Sequence, residues 1–467
     1  MPVLAGLSTE SVSGSIDHLG TMPEWLRAAA DGHHAAAALA AAVPELAAGT
    51  WRLERCEPKL RLKDGGAWTA MFRLVLTDPS GQERVVRLTG EFRPASADPS
   101  RPAAVQGELG AAGWTAELPS LGLTLATPSG ADDAELPALA ALTDPQLAAR
   151  LLGERLGIRI ASCAPEVMRY KPGSRCTVRY QLGYSPGDSG PASVIAKTYR
   201  GDKGANAFHG MAALDRAGIP PDTVALAPAL AYDPDTRVLV QGAVDEEQTL
   251  KVLAQAAGGT GDPDMFARLA DDAAKAAAGL AAVHGSGVLH GDLVTWEDQW
   301  REVAELTERL DQPLPGTGAA VMPFLDRLVT VAADHPADRP GPAHRSFRPA
   351  QVLLARGRIA FIDFDGLCTA EPAMDVALFR AALRDAVMRA VRPSDRRVPV
   401  LGRRLAAVDE VCDSFLARYR TLAAVSVDRV ALWESLYLLT SVLHCWTKVQ
   451  PDRLLPRMAM LDHHLGR

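Results

Sequence analysis

Two short apolar runs, Val352-Leu353-Leu354 and Ile359-Ala360-Phe361-Ile362, stand either side of Arg356-Gly357-Arg358, and the second leads straight into Asp363-Phe364-Asp365. Apolar runs of this length bounded by a glycine turn read as a tight pair of buried strands. The pair ends on two carboxylates, and a carboxylate at the end of a buried strand needs a cation or a set of donors beside it. Upstream, His344-Arg345-Ser346-Phe347-Arg348-Pro349-Ala350-Gln351 reads as a loop. A chain carrying this loop, strand pair and pair of carboxylates must build the rest of its fold around them.

At 467 residues the chain exceeds one ordinary core and suits two or three domains. With 48% hydrophobic and 22% charged residues it can bury those cores, and no charge block or low-complexity tail marks extensive disorder. A net charge of −7 offers no electrostatic footprint for nucleic acid, and Arg396-Arg397 and Arg403-Arg404 read as solvated helix faces. The six cysteines form no C-x-x-C pair and no His/Cys cluster, so they point to reduced thiols rather than a zinc site or a disulfide framework. No signal-peptide pattern opens the chain, and no window approaches the ~20 apolar residues of a membrane span. The expectation is a cytoplasmic protein with neither a membrane nor a nucleic-acid partner.

Along the chain, residues 22–48 read as an Ala-rich amphipathic helix with Pro23 at its start. Alternation over 59–63, 68–77 and 84–92, divided by Asp64-Gly65-Gly66 and Asp78-Pro79-Ser80-Gly81, predicts a three-stranded meander. A second meander follows at 167–171, 176–184 and 193–199. The two match at a constant offset of 108: Arg61 with Arg169, Lys63 with Lys171, Gly65 with Gly173, Thr69 with Thr177, Phe72 with Tyr180 and Leu74 with Leu182. Six matches in register point to a duplicated sheet, in which Thr89 of the first copy stands opposite Lys197 of the second. The acidic, Pro-containing stretch 129–139 reads as a linker, and Asp144-Pro145 starts a helix running to about Leu156. A helix through Arg216 leads to strands at 224–232 and 237–241; from Glu246 onward everything reads helical except the opening loop and strand pair.

The segment from His344 to Asp365 resembles the catalytic loop and metal-binding strand of the aminoglycoside-phosphotransferase and choline-kinase-like branch of the protein-kinase-like fold. That family's loop reads His-x-Asp, then Asn or Gln after two to four residues, then a strand pair ending Ile-Asp-Phe. The resemblance implies an α+β chain: a smaller N-terminal α+β domain at 1–140 resembling a degenerate N-lobe, a kinase-like N-lobe at 141–244, and a helical C-lobe at 245–467. It implies ATP and Mg2+ as cofactors, and transfer of a phosphoryl group to a hydroxyl of a small molecule or peptide. Ser346 stands where the family has its catalytic Asp. The alternative implied is therefore an impaired pseudokinase, a nucleotide-binding scaffold or allosteric partner of another protein.

The same resemblance assigns the residues. Lys197, in Val194-Ile195-Ala196-Lys197, matches the phosphate lysine; Asp363 matches the magnesium ligand, with Gln351 as the second metal oxygen. Asp375 matches the helical Asp that braces the catalytic loop, with His344 its companion. Gly173, Ser174 and Arg175 form a turn able to close over phosphates, and Gln241 and Ala243 fall in a hinge-like segment facing adenine. His290-Gly291-Asp292-Leu293 fits the loop consensus better than His344-Arg345-Ser346, but Glu297 stands at the Asn/Gln position and no strand pair follows, so it reads as a turn after a helix. The helix after Lys197 holds no Glu to pair with the lysine. Asp365, or Asp292, is left as a surrogate base for Ser346.

Overall fold

The computed structural model describes residues 22–466 except 94–97, 99, 129–132 and 245, together with residues 4, 7–10 and 12. The region expected to form one helix is three short ones, Glu24–Ala30, Gly32–Ala42 and Pro44–Ala47. Asp31 causes the first break: its side chain accepts from the N–H groups of His33 and His34 at 2.8 and 3.0 Å, capping a new helix start. Pro44 causes the second, since it can open a helix but not continue one.

These helices pack on a six-stranded antiparallel sheet whose first three strands, Arg52–Leu62, Trp68–Thr77 and Glu83–Phe92, are the expected meander. The sheet is then extended by Leu123–Ala126, Thr115–Leu118 and Ala104–Gln106. A second antiparallel sheet runs Ala229–Asp233, Val238–Gly242, Ser193–Tyr199, Arg175–Tyr184, Ile160–Lys171 in spatial order. The first hairpin of each sheet has the same register: Arg61 lies across from Thr69, and Arg169 across from Thr177. The third strands differ. Thr177 faces Lys197, whereas Thr69 faces Glu91, so the partner of the lysine position is Glu91 rather than Thr89, two residues from the sequence offset. The first copy thus carries an exposed acid where the second carries a buried lysine.

Of the stretch expected to be a linker, residues 129–132 lie outside the described residues. The remainder is anchored: Leu136, Ala138 and Leu139 are buried in the core of the second sheet with Tyr180 and Val178. Helix Pro145–Leu156 follows, capped by Asp144 as expected and closed by Gly157 in the left-handed conformation. Helix Lys203–Arg216 then leads to the large C-terminal half, built on helices Leu250–Thr260, Pro263–His284, Trp296–Asp311, Thr317–Ala333, Ala373–Ala390, Val398–Arg420, Val427–Thr447 and Leu454–Leu465. No helix among the described residues is long and apolar enough to cross a membrane.

The opening strand pair forms as read: Val352–Ala355 against Arg358–Phe361, with Ala355 across from Arg358. Its two-residue turn, Arg356-Gly357, has φ of 49° and 80°, the doubly left-handed geometry that suits a tight hairpin. Four further short strands appear in the half expected to be otherwise helical: Gln248–Thr249, Leu293–Val294, Gly341–Ala343 and Cys368–Ala370. Segments of two or three residues are too short to display alternation. One of them corrects the reading of residues 289–293 as a plain turn, because Leu293–Val294 pairs in parallel with Cys368–Ala370.

Candidate active site

Lys197 lies on the middle strand of the second sheet, and burial of its ammonium demands compensation. The compensation comes from 166 and 168 residues away: Nζ donates to Asp363 Oδ1 at 3.0 Å and to Asp365 Oδ1 at 2.9 Å. Burial works to depress the lysine, but the charges and hydrogen bonds of Asp365 and Asp363 outweigh it and hold the ammonium above its ordinary range. Burial likewise pushes Asp363 upward, and Lys197 overcomes it, holding that carboxyl well below the usual range. The lysine does without a helical glutamate because both strand-end carboxylates fold back onto it.

Backbone geometry delivers them. Asp363 sits at φ 73°, ψ 48° and opens the short turn Phe364–Gly366, a left-handed bend that costs a non-glycine residue roughly 1–3 kcal/mol. The bend is held from both sides: Phe364 is buried against His344 with ring centroids 4.6 Å apart, and the Asn206 amide donates to the Leu367 carbonyl at 3.2 Å. Helix Lys203–Arg216 thereby docks on the turn. At Gly210 an added Cβ would fall 2.5 Å from a Leu367 methyl carbon, so close approach requires glycine there.

Among the described residues, three buried oxygens at this site have no hydrogen-bond partner: Gln351 Oε1, Asp365 Oδ2 and the Tyr199 hydroxyl. Buried acceptors are normally satisfied, and oxygen acceptors beside an ionised carboxylate are the donor set a hard divalent cation takes. Asp363 and Gln351 therefore fit magnesium, which keeps several waters and asks for few protein oxygens. The guanidinium of Arg175 lies 3.8 Å from Asp365 Oδ2, adding positive charge at the mouth of the site. Tyr199 is buried alongside, its phenol raised well above its ordinary range first by burial and then by the Asp365 charge.

The loop is braced from below. The His344 N–H donates to Asp375 Oδ2 at 2.5 Å, and Asp375 is fully buried at the start of helix Ala373–Ala390. His344 Nε2 lies 3.0 Å from the Ile362 carbonyl, which can only accept, so Nε2 carries the proton and Nδ1 is left as an acceptor. Ser346 Oγ is 3.2 Å from that Nδ1 and is its donor. The serine hydroxyl points its proton at a histidine fixed by the loop's own strand. Sequence reasoning missed two members of this brace: His284 Nε2 reaches Asp375 Oδ2 at 3.2 Å and His284 Nδ1 meets the Tyr419 hydroxyl at 2.7 Å. The only signal was a histidine closing a long helix before Gly285.

The remaining expected residues fare differently. In the turn after Lys171, the Gly173 N–H donates to Asp133 Oδ2 at 2.8 Å, and the Ser174 N–H to the Lys171 carbonyl at 3.0 Å. The same Asp133 oxygen accepts from the Tyr170 hydroxyl at 2.9 Å. The turn is tied back by internal acceptors rather than opening its N–H groups to a phosphate; Arg175 alone of the three reaches the carboxylates. Gln241 is buried in the strand beside that of Lys197, with its Oε1 unpartnered, and the Ala243 N–H faces the Ser193 carbonyl at 3.4 Å. Asp292 is exposed; its carbonyl accepts from Thr369, and the neighbouring His290 ring lies 2.9 Å from the Asn206 carbonyl.

A family model described as the phosphotransferase enzyme family matches residues 187–435, just over half of the chain. A comparison with curated proteins finds no match. Among solved structures, a glucosamine kinase in complex with glucosamine, ADP and inorganic phosphate is 17% identical, covering 92% of this chain and 98% of its own, with a TM-score of 0.47. A thermostable mutant of an aminoglycoside phosphotransferase is 15% identical over 68% of this chain and 98% of its own, with a TM-score of 0.44. A choline/ethanolamine kinase family protein from Mesorhizobium loti is 16% identical over 72% and 98%, with a TM-score of 0.37. The match spans the buried lysine, the loop and the carboxylate-bearing strand pair that the geometry brings together, and the chain belongs to the phosphotransferase enzyme family.

Proposed function

We propose that the protein is an ATP- and magnesium-dependent phosphotransferase acting on a hydroxyl of a small molecule or peptide. One observation carries the reading: a buried lysine held between two carboxylates, with unsatisfied buried oxygens on Gln351, Asp365 and Tyr199 beside them. A purely structural core has no use for such an arrangement, since unpaired buried acceptors cost about 1–3 kcal/mol each. Magnesium, when bound with the nucleotide, neutralises phosphate charge. Asp363 and Gln351 are the residues to hold it, and Lys197 the cation for the phosphates. Arg175 adds charge stabilisation at the mouth of the cleft.

The proton of the acceptor hydroxyl has two places to go. Ser346 already donates to His344 and cannot hold an extra proton at neutral pH, so it orients the acceptor rather than deprotonating it. Asp365 gives Oδ1 to Lys197 and keeps Oδ2 off the lysine, beside Arg175, and is the surrogate base. Transfer passes through a loose transition state that needs positioning and charge more than base strength. Titration calorimetry with ATP should show binding that depends on magnesium and is strongly weakened in Asp363→Ala; equal affinity with and without the metal sinks the assignment.

The pseudokinase reading is favoured by the Ser346–His344 hydrogen bond and by the Gly173 N–H turned toward Asp133. It predicts nucleotide binding with no phosphate transfer above the Asp363→Ala background, for any acceptor. Mass spectrometry of reactions with ATP and a panel of hydroxylated acceptors separates the two.

A further inference from the structure

The duplication places the same three-residue pattern twice. Arg61-Leu62-Lys63 ends the first strand of the N-terminal sheet, and Arg169-Tyr170-Lys171 ends the first strand of the second sheet at the equivalent register. The two sheets are set so that both segments line one cavity of about 440 Å³. Lys448 and Gln450, just beyond helix Val427–Thr447, complete it from the C-terminal half. Three parts of the molecule thus contribute cations to a single hollow in a chain whose net charge is −7.

Among the described residues, Arg61, Lys63, Arg169, Lys171 and Lys448 form no ion pair, and Glu57, the sole carboxylate in this lining, is shared by Arg55 at 3.5 Å and Arg73 at 3.4 Å. The groups act on one another. Burial, with the charges of Arg61 and Arg457, pushes the Lys448 ammonium down to about 8. Burial and the neighbouring cations, Arg61 among them, also lower Lys171 and, against the opposing charge of Asp363, Arg169. Like charges gathered in a partly desolvated hollow repel, and the repulsion is relieved only by an anion. A second unsatisfied group lies in a lining residue: Gln450 Oε1 is buried with no hydrogen-bond partner among the described residues.

We propose that this cavity binds a hydroxylated small molecule bearing two or more phosphate or carboxylate groups, gripped by the paired Arg-x-Lys segments of the duplicated sheets and by Lys448. Its lining includes neither Lys197 nor Asp363, although Arg169 feels the Asp363 charge, and it needs no metal, because its charges already have the sign the ligand lacks. Occupation would tie the N-terminal sheet, the second sheet and the C-terminal half to one ligand.

The test is titration calorimetry on the full chain without magnesium, using fructose 1,6-bisphosphate and citrate as probes; the tighter of the two tells phosphate from carboxylate recognition. One site per chain is expected, weakening steeply with added salt. Arg61→Ala and Lys448→Gln should each weaken it tenfold or more, Arg61→Lys should recover most of the loss, and Asp363→Ala should not weaken it. Arg61 is exposed, so its substitution spares the fold. Absence of binding by either probe at millimolar concentration overturns the proposal. So does binding that Asp363→Ala removes and Arg61→Ala does not, since the anion would then sit in the nucleotide cleft. Magnesium–ATP binding measured on Arg61→Ala should match the unmodified chain, which keeps this outcome distinct from failure of the phosphotransferase reading.

Discussion

Ser346 decides what chemistry the cleft can perform. Its hydroxyl donates to a histidine whose other nitrogen is committed to the Ile362 carbonyl, so the residue is anchored but cannot hold a second proton. Losing a positioned base commonly costs about 10²–10⁴-fold in rate. If transfer occurs with Asp365 in that role, Ser346→Asp should preserve or raise turnover, because a carboxylate there supplies a second proton acceptor on the loop. Turnover in Ser346→Asp that falls to the Asp363→Ala level would mean that the loop does not tolerate a charge in place of the serine. Lys197, Gln351, Asp363, Asp375 and His344 could be named from sequence because a fixed spacing in one short segment, plus one lysine in an apolar strand, carries them. His284, Tyr419 and Asp133 could not: each acts through a contact made 37 or more residues away, with no local pattern to announce it.

At the level of elements, the loop depends on where helix Ala373–Ala390 begins, and a buried ion pair fixes that. Glu371 accepts from Arg429 Nε at 3.0 Å, from the Trp433 indole at 2.6 Å and from the Asp338 N–H at 3.2 Å, with both charged side chains almost fully buried. Glu371→Gln leaves the guanidinium uncompensated and should destabilise by about 3–5 kcal/mol in denaturant unfolding. A second element sets the acid limit. His444, on helix Val427–Thr447, is pushed down to about 3 by burial and by the charges of Lys448, Arg457, Arg61 and Arg309. The unfolded chain takes up this proton near pH 6.5, whereas the folded chain refuses it until about pH 3, so stability falls as pH drops through that window. Asp363 acts in the same direction at lower pH: its depressed carboxyl contributes stability above the ordinary carboxylate range that is lost on acidification below it. His444→Gln should flatten the stability profile between pH 6.5 and 3 while leaving the loss below it. An unchanged slope would show that His444 is protonated in the folded protein. The helical character of this half and its four-residue strand pair were legible in the sequence; the two- and three-residue strands that lock the loop were not, because pairing across the fold, not local pattern, creates them.

For the molecule as a whole, the duplication was visible in six aligned residues, but sequence offset could not show that the third strand slips by two, putting Glu91 across from Thr69. Nor could it show which half the N-terminal sheet joins. Its buried side chains, Phe72, Leu74 and Trp114 among them, belong to one continuous apolar cluster with Leu436, Trp433 and Phe379 of the helical half. The second sheet keeps a separate core around Val178, Tyr180 and Val240. Gly66 shows how close the first contact is: a Cβ there would fall 2.1 Å from the Gln312 side chain of helix Trp296–Asp311's C-terminal cap. A shared core makes two regions open together, since neither can unfold without exposing the other's apolar surface. Hydrogen exchange should therefore give the amides of Trp68–Thr77 and of Val427–Thr447 the same opening free energy, while those of Arg175–Tyr184 open independently and at lower cost. If Trp68–Thr77 instead exchanges with the second sheet and apart from the helical half, the continuous cluster does not act as one cooperative unit. In that case the N-terminal sheet would be an independently folding attachment whose cations reach the shared cavity only by docking.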